Sequence, residues 1–472
     1  MKVLFASSEV FPFSKTGGLA DVSYSLPVAL KKLGTDIKIV TPLYKGIGEN
    51  YKLKKTDFKF EIPISDKLSI ADIYEGRIKE VPVYFVDCKK YFDRDSLYTN
   101  DGKDYLDNAE RFIFFSRVIV ELAIKISTNI IHLNDWQTAM SAVYAKTLYQ
   151  FDGKTILTIH NLGYQGLFWH FDMHLTNLGW EYYNPRMLEF WGKINFLKGG
   201  IYFSDAITTV SPSYAKEILT EESGFGLQGV LKDVEDKLFG ILNGIDYEEW
   251  NPEKDSYIAK SYSEKDLTEG KKVCKEALIK KVNLDIDLKA PLFAIIARIT
   301  DQKGFDILIP ALDEILKRDI GFIILGSGEK KYEEKLKHYT ENYKGKIVCF
   351  FEFNNSLAHQ IEAGADFFLM PSKYEPCGLN QMISMRYGTI PIVRAVGGLE
   401  DTVVDINEKN GTGIKFTSYT KDALVSAVER AIDVYDNPLK LYQIRKRCMK
   451  KDFSWDNSAK KYLDLYKKVL NV

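Results

Sequence analysis

Short apolar runs alternate with stretches whose apolar residues recur every three or four positions, and this alternation continues through most of the chain. The runs, rich in Val, Ile, Leu and Phe, read as buried strands; the periodic stretches read as amphipathic helices. In the first half the predicted strands are 2–6, 37–41, 83–86, 130–133, 155–159 and 206–210, with helices such as 109–125 and 138–149 between them. Residues 58–77 alternate with period two and predict a hairpin. In the second half strands are predicted at 292–297, 321–325, 346–350, 367–370 and 390–393, and helices over 305–316, 331–340, 356–363 and 420–434. Two successive strand–helix–strand series predict an α/β fold of two Rossmann-like, doubly wound parallel sheets, each covered by helices.

The break between the series is placed by Gly240-Ile-Leu-Asn-Gly-Ile-Asp246, then Trp250-Asn-Pro252 and a polar stretch to Gly270, which reads as a linker. Domains are therefore expected over 1–243 and from 244 onward. Open parallel sheets take ligands beyond the carboxyl ends of their strands, so two facing sheets would form an inter-domain cleft.

The segments that carry chemistry fall at those strand ends. After the first strand comes Lys15-Thr-Gly-Gly-Leu-Ala-Asp21, a turn with adjacent glycines before a helical pattern. Gly17 and Gly18 let the backbone approach an anion closely, and amides at the helix start are expected to face it. The spacing is neither that of a dinucleotide fingerprint nor that of a Walker loop. Asn134-Asp135-Trp136 and His160-Asn161 end two further strands of the first half. In the second half, Arg298 and Lys303-Gly304 follow one strand, a pairing suited to two phosphates. Glu375-Pro-Cys377-Gly378-Leu379-Asn380 follows another. Amides from Gly378 onward could hold a diphosphate, which Glu375 would repel unless it faces a hydroxylated group such as a sugar. Cys377 reads as a plain buried thiol, having no neighbouring His. His170 and His174 have the spacing of a zinc helix but lack the intervening Glu and a third ligand.

Composition narrows the class. Net charge is −1 over 472 residues, which gives no case for nucleic acid or an anionic membrane as partner. Five scattered cysteines without a Cys-x-x-Cys pair point to a reducing, cytoplasmic setting. No run is long enough to span a membrane, and the start is too short in apolar residues for a signal peptide. Aromatic residues reach 13%, enough to leave rings for stacking on sugars or bases besides the core. Oligomeric state stays open.

Taken in order, Lys15-Thr-Gly-Gly-Leu-Ala-Asp21, Asn134-Asp-Trp136, His160-Asn161, Asn243-Gly-Ile-Asp246, Arg298 with Lys303-Gly304, Glu375-Pro-Cys-Gly-Leu379 and Gly397-Gly-Leu-Glu-Asp-Thr402 resemble the bacterial glycogen synthase family, shared with plant starch synthases. The resemblance implies a GT-B fold and a retaining, metal-independent transfer of glucose from ADP-glucose to the non-reducing end of an α-1,4-glucan, with no cofactor. It implies that Arg298 and Lys303 hold the diphosphate, that Lys15 approaches it, and that Asp21 lines the donor pocket. Glu375 would bind the donor's glucose hydroxyls, with Asn161 and Asn243 assisting, and the His160 carbonyl would lie against the reacting face. Asp135 and Trp136 would stand near the acceptor, and Phe353 would stack on the nucleobase. Gly17, Gly18, Cys377, Gly378, Leu379 and Asn380 complete the expected binding set; Asn380 stands where many relatives carry Thr. The second domain would run over 244–455, and a helix at 456–472 would cross back to the first. A related transferase using UDP-glucose or a small acceptor is the alternative.

Overall fold

The strand Lys2–Ala6, buried at all but its first position, lies at the centre of a nine-stranded sheet in the computed structural model, which describes residues 1–100 and 102–471. Strands beginning at 238, 206, 154, 130, 2, 36, 81, 67 and 54 lie side by side in that order. The first seven are parallel; the hairpin Lys54–Ile64 and Lys67–Ile78 adds the two antiparallel ones. Their unbroken apolar runs follow from helices covering both faces, for example Asn108–Lys125 and Trp136–Thr147. From the central strand the chain first works outward through 36 and 81, then returns to the other side at Ile130–Asn134. That reversal is the point where open sheets hold ligands.

A second sheet has six strands, all parallel, beginning at 347, 321, 292, 367, 390 and 414 in spatial order. Its reversal lies between Leu292–Ile296 and Phe367–Met370. The chain divides into Met1–Asn243 with the segment from Trp455 onward, and Gly244–Ser454. The helix Trp455–Leu470 belongs to the first unit: the Tyr466 hydroxyl meets His132 Nδ1 at 2.5 Å, and Ser458 Oγ donates to the Leu242 carbonyl. Burial lowers the His132 pKa to about 3, so the ring is neutral.

Three sequence expectations are corrected. Residues 240–270 are not a free linker. The Trp250 indole stacks on His359 at 3.9 Å, and buried Asp255 meets His359 Nδ1 at 2.8 Å and the Tyr387 hydroxyl at 2.5 Å. A helix, Leu267–Val282, begins within that stretch and carries two buried lysines. Its charged sequence hid it: Lys275 lies 2.7 Å from Asp366, and Lys271 donates to the Ala365 carbonyl at 2.6 Å. The helix expected over 138–149 starts earlier, at Trp136, and the one expected over 420–434 starts at Lys421. A small antiparallel sheet of Leu167–Trp169, Lys193–Asn195 and Glu189–Phe190 has strands too short to show a period. No helix among the described residues is long and apolar enough to cross a membrane.

Candidate active site

At the reversal of the first sheet, the loop after Lys2–Ala6 is closed by a carboxylate of its own. Buried Glu9 accepts the Thr16 amide at 2.5 Å and the Gly17 amide at 3.2 Å, plus the Thr16 hydroxyl at 2.6 Å and the Tyr98 hydroxyl at 2.8 Å. The expectation that this turn offers its amides outward is therefore corrected for Thr16 and Gly17. They are taken by Glu9, which fixes the loop ahead of the helix Gly18–Lys32. Lys15 Nζ lies 2.7 Å from Asp21 Oδ1 and stands over the Phe11 ring. Sequence reasoning missed Glu9 and Tyr98, whose roles depend on the loop folding back onto the Glu9 carboxylate.

The next strand, Ile130–Asn134, ends at Asp135, whose φ of +56° is rare for a residue with a Cβ. That turn aims the carboxylate at the following strand end: Oδ1 accepts the His160 amide at 2.7 Å, and the Asn161 amide also bonds to this carboxylate. Burial nevertheless raises its pKa to about 7. His160 Nε2 lies 2.9 Å from Asn134 Oδ1, while Asn134 Nδ2 donates to the Ala6 carbonyl. Asn134 thus offers an acceptor and His160 Nε2 carries the proton, leaving Nδ1 as the bare nitrogen. Burial lowers the His160 pKa to about 3. Asn161 Oδ1 caps the Gly163 amide at 3.0 Å. Trp136 is wedged between Phe112 and Phe168, at 5.0 and 5.7 Å between ring centroids, so part of its ring serves packing. Asn243 is buried, and its Oδ1 has no hydrogen-bond partner among the described residues.

At the reversal of the second sheet the two predicted loops meet. Lys303 Nζ lies 2.6 Å from Glu375 Oε2, which also accepts from Ser372 Oγ at 2.9 Å. Gly304, at φ +79°, brings the first loop against the second: an added Cβ would lie 2.0 Å from the Pro371 carbonyl oxygen. Gly397, at φ +46°, supports the Glu375 backbone in the same way. Arg298 is exposed, and its side chain has no ion pair or hydrogen bond among the described residues. Gly378 takes φ +70° before the helix Asn380–Arg386, with Leu379 at its cap. Asn380 Nδ2 donates to the Ile296 carbonyl at 2.7 Å, joining the two strand ends. Cys377 is buried, and its carbonyl accepts from Gln381. Phe353 is 85% exposed just beyond the strand Ile347–Phe350. Among the described residues no group of three or more His, Cys, Asp or Glu could hold a metal ion.

Two doubly wound sheets with polar loops at both reversals define a two-domain glycosyltransferase of GT-B type, and comparison with known proteins agrees. The family described as "Starch synthase catalytic domain" matches residues 2–233, and "Glycosyl transferases group 1" matches 278–447. A glycogen synthase of Thermodesulfovibrio yellowstonii is 43% identical over 492 residues, covering 100% of this chain and 98% of that one. One from Thermosipho africanus is 44% identical over 489 residues, covering 100% and 99%. The catalytic domain of starch synthase IV from Arabidopsis thaliana, bound to ADP and acarbose, superposes with a TM-score of 0.91 at 32% identity, covering 100% and 99%. Sucrose-phosphate synthase from Thermosynechococcus elongatus shares the fold, with a TM-score of 0.62 at 17% identity and coverage of 100% and 99%. The chain belongs to the glycogen synthase family.

Proposed function

We propose that the chain transfers glucose from ADP-glucose to the non-reducing end of an α-1,4-glucan with retention at the anomeric carbon. The observation that carries this reading is the cation–carboxylate set at the second sheet's reversal: Lys303 paired with Glu375, and Arg298 exposed without a partner among the described residues. A nucleotide sugar presents a diphosphate to the cations and hydroxyls to the carboxylate. The starch synthase of like fold was captured with ADP, which supports adenine in the donor.

In this reading Arg298 and Lys303 hold the diphosphate and Lys15 acts on the same group. As the glycosidic bond to phosphate breaks, negative charge grows on the leaving group and the sugar becomes oxocarbenium-like. Cations already in place stabilise that state more than the ground state. Glu375, with Oε2 committed to Lys303 and Ser372, keeps Oε1 for sugar hydroxyls. Asn243, whose buried Oδ1 has no partner among the described residues, and Asn161 serve the same sugar. The amides of His160 and Asn161, held by Asp135, fix the His160 carbonyl against the reacting face. Gly17 and Gly18 keep the Lys15 loop close, Asp21 orients Lys15, and Phe353 stacks on the base. Gly378 and Leu379 present amides to phosphate, whereas Cys377 and Asn380 act through the backbone they brace. Asp135 and Trp136 face the acceptor. Front-face attack by the acceptor hydroxyl gives retention: its proton passes to the departing phosphate oxygen, and no carboxylate forms a bond to the sugar.

Parallel transfer assays with ADP-glucose and UDP-glucose on glycogen test the reading. Transfer from ADP-glucose at a substantially higher kcat/KM is expected. Preference for UDP-glucose, or transfer only to a small acceptor, would overturn it in favour of the related transferase.

A further inference from the structure

One wall of a cavity in the first unit is an open sheet edge. Leu238–Gly240 is the outermost strand on its side of the nine-stranded sheet and pairs only with Ala206–Thr209. The Ile241 amide donates to the Thr209 carbonyl at 2.8 Å, so the backbone alternation turns the N–H and C=O groups of Leu238 and Gly240 outward. Those outward groups take no hydrogen bond from another element among the described residues.

Two helices supply the other walls. From the helix Pro212–Glu217 and the turn that continues it, the lining residues are Pro212, Ala215, Lys216 and Leu219. From Trp455–Leu470 they are Lys461, Asp464, Leu465 and Lys468. Both sets have the i, i+3, i+4, i+7 spacing of a single helical face, which ordinarily closes on a core. Here the short Ala215 side chain leaves room, and a cavity of about 560 Å³ stays open beside the strand. Small-molecule sites occupy about 300–1,000 Å³.

The walls are apolar and the rim is charged. Leu219, Leu238 and Phe239 are half-buried, and Ile241 and Leu465 are buried. Lys216, Lys461 and Lys468 are exposed, and none of their ammonium groups has an ion pair or hydrogen bond among the described residues. Lys468 Nζ stands 4.6 Å from the centre of the Phe239 ring, which keeps that cation at the cavity wall. Glu235 and Asp464 also line the rim, so three cations against two carboxylates leave one net positive charge. Lysines beside a bare strand edge keep other strands off it. That role needs no apolar hollow behind them, whereas a ligand with an apolar body and one negative charge uses both.

We propose that this cavity binds an apolar monocarboxylate, with its hydrocarbon body against Leu219, Leu238, Phe239 and Leu465. Its carboxylate lies among Lys216, Lys461 and Lys468, and the outward Gly240 amide offers a further donor. None of these residues belongs to the candidate active site, so the proposal stands apart from the reading of the reaction.

The test uses the full chain with decanoate as probe, titrated by calorimetry below the concentrations at which decanoate forms micelles. One equivalent should bind per chain. Acetate, which lacks the body, and decyltrimethylammonium, which reverses the charge, should not bind. Lys216→Gln with Lys468→Gln should weaken decanoate binding about three- to tenfold through the lost charge. Ala215→Leu, which fills the space and keeps every charge, should weaken it by about tenfold or more. Both variants should bind ADP as the wild type does, which shows that they fold, and ADP should leave the affinity for decanoate unchanged. No saturable heat with the wild type, equal binding of decyltrimethylammonium, displacement of decanoate by ADP, or unchanged affinity in folded variants would overturn the proposal. So would self-association that shuts decanoate out, which would assign the open edge to a second copy of the chain.

Discussion

Replacing Glu375 by Gln separates a binding role for this carboxylate from a purely structural one. The side chains of Lys303 and Glu375 are 20% and 7% exposed and meet at 2.6 Å. At that distance the gross attraction is about 6 kcal/mol for an effective dielectric near ~20. Most of it offsets the desolvation of two nearly buried charges, so the net loss on neutralising one partner is about 1–3 kcal/mol. Gln preserves the acceptor for Ser372 Oγ, so the loop keeps its shape and the loss falls mainly on Lys303. The thermal midpoint of the second unit should fall by about 2–4 °C per kcal/mol, hence by about 2–12 °C. If Glu375 also holds sugar hydroxyls in the transition state, kcat should fall by about 10²–10³ at temperatures well below that midpoint. ADP, which lacks the sugar, should bind as tightly as before or more tightly, since Lys303 is freed and a negative charge removed. Differential scanning calorimetry, transfer rates and ADP titration calorimetry read the three quantities. A variant with a lowered midpoint and a kcat within about twofold of wild type would refute the reasoning, leaving Glu375 as a structural partner of Lys303 only.

Lys303→Ala should cost about 10²–10³ in kcat while the chain still folds, and full activity would remove its role at the diphosphate. Gly304→Ala should destabilise the second unit by about 2–4 kcal/mol, from a Cβ placed at 2.0 Å from the Pro371 oxygen at a φ of +79°; an unchanged denaturant midpoint would contradict that close approach. Asp135, raised from 3.8 to about 7, binds its proton more tightly folded than unfolded. Its contribution to stability is therefore greatest at low pH, declines as pH rises from about 4 to about 7, and levels off above. Urea midpoints of wild type and Asp135→Asn at several pH values should show the difference moving in favour of wild type on acidification, whereas a pH-independent difference would place this carboxyl at its ordinary pKa.

The sheets were legible because their strands are buried on both faces and so appear as unbroken apolar runs. Lys2–Ala6, Gly321–Leu325 and Phe367–Met370 coincide with the predicted runs. The position of the polar loops at the strand ends was legible because a doubly wound sheet sends such loops to one edge. Illegible were features whose meaning lies in a distant partner. Lys271 and Lys275 look solvated until the carbonyls and Asp366 that bind them are known. Asp255 looks like a loop carboxylate until His359 and Tyr387 close on it. The Lys15 turn looked like a vacant anion site because Glu9, nearby in sequence, carries no local sign of folding back onto its amides.

Carbon NMR of glycogen incubated with the enzyme and ADP-glucose labelled at C1 of the sugar follows the transferred atom itself. Label should appear in the anomeric resonance of α-1,4-linked glucose at chain ends. Label recovered in a β-linkage, or only as free glucose, would contradict retaining transfer to an α-glucan by this chain.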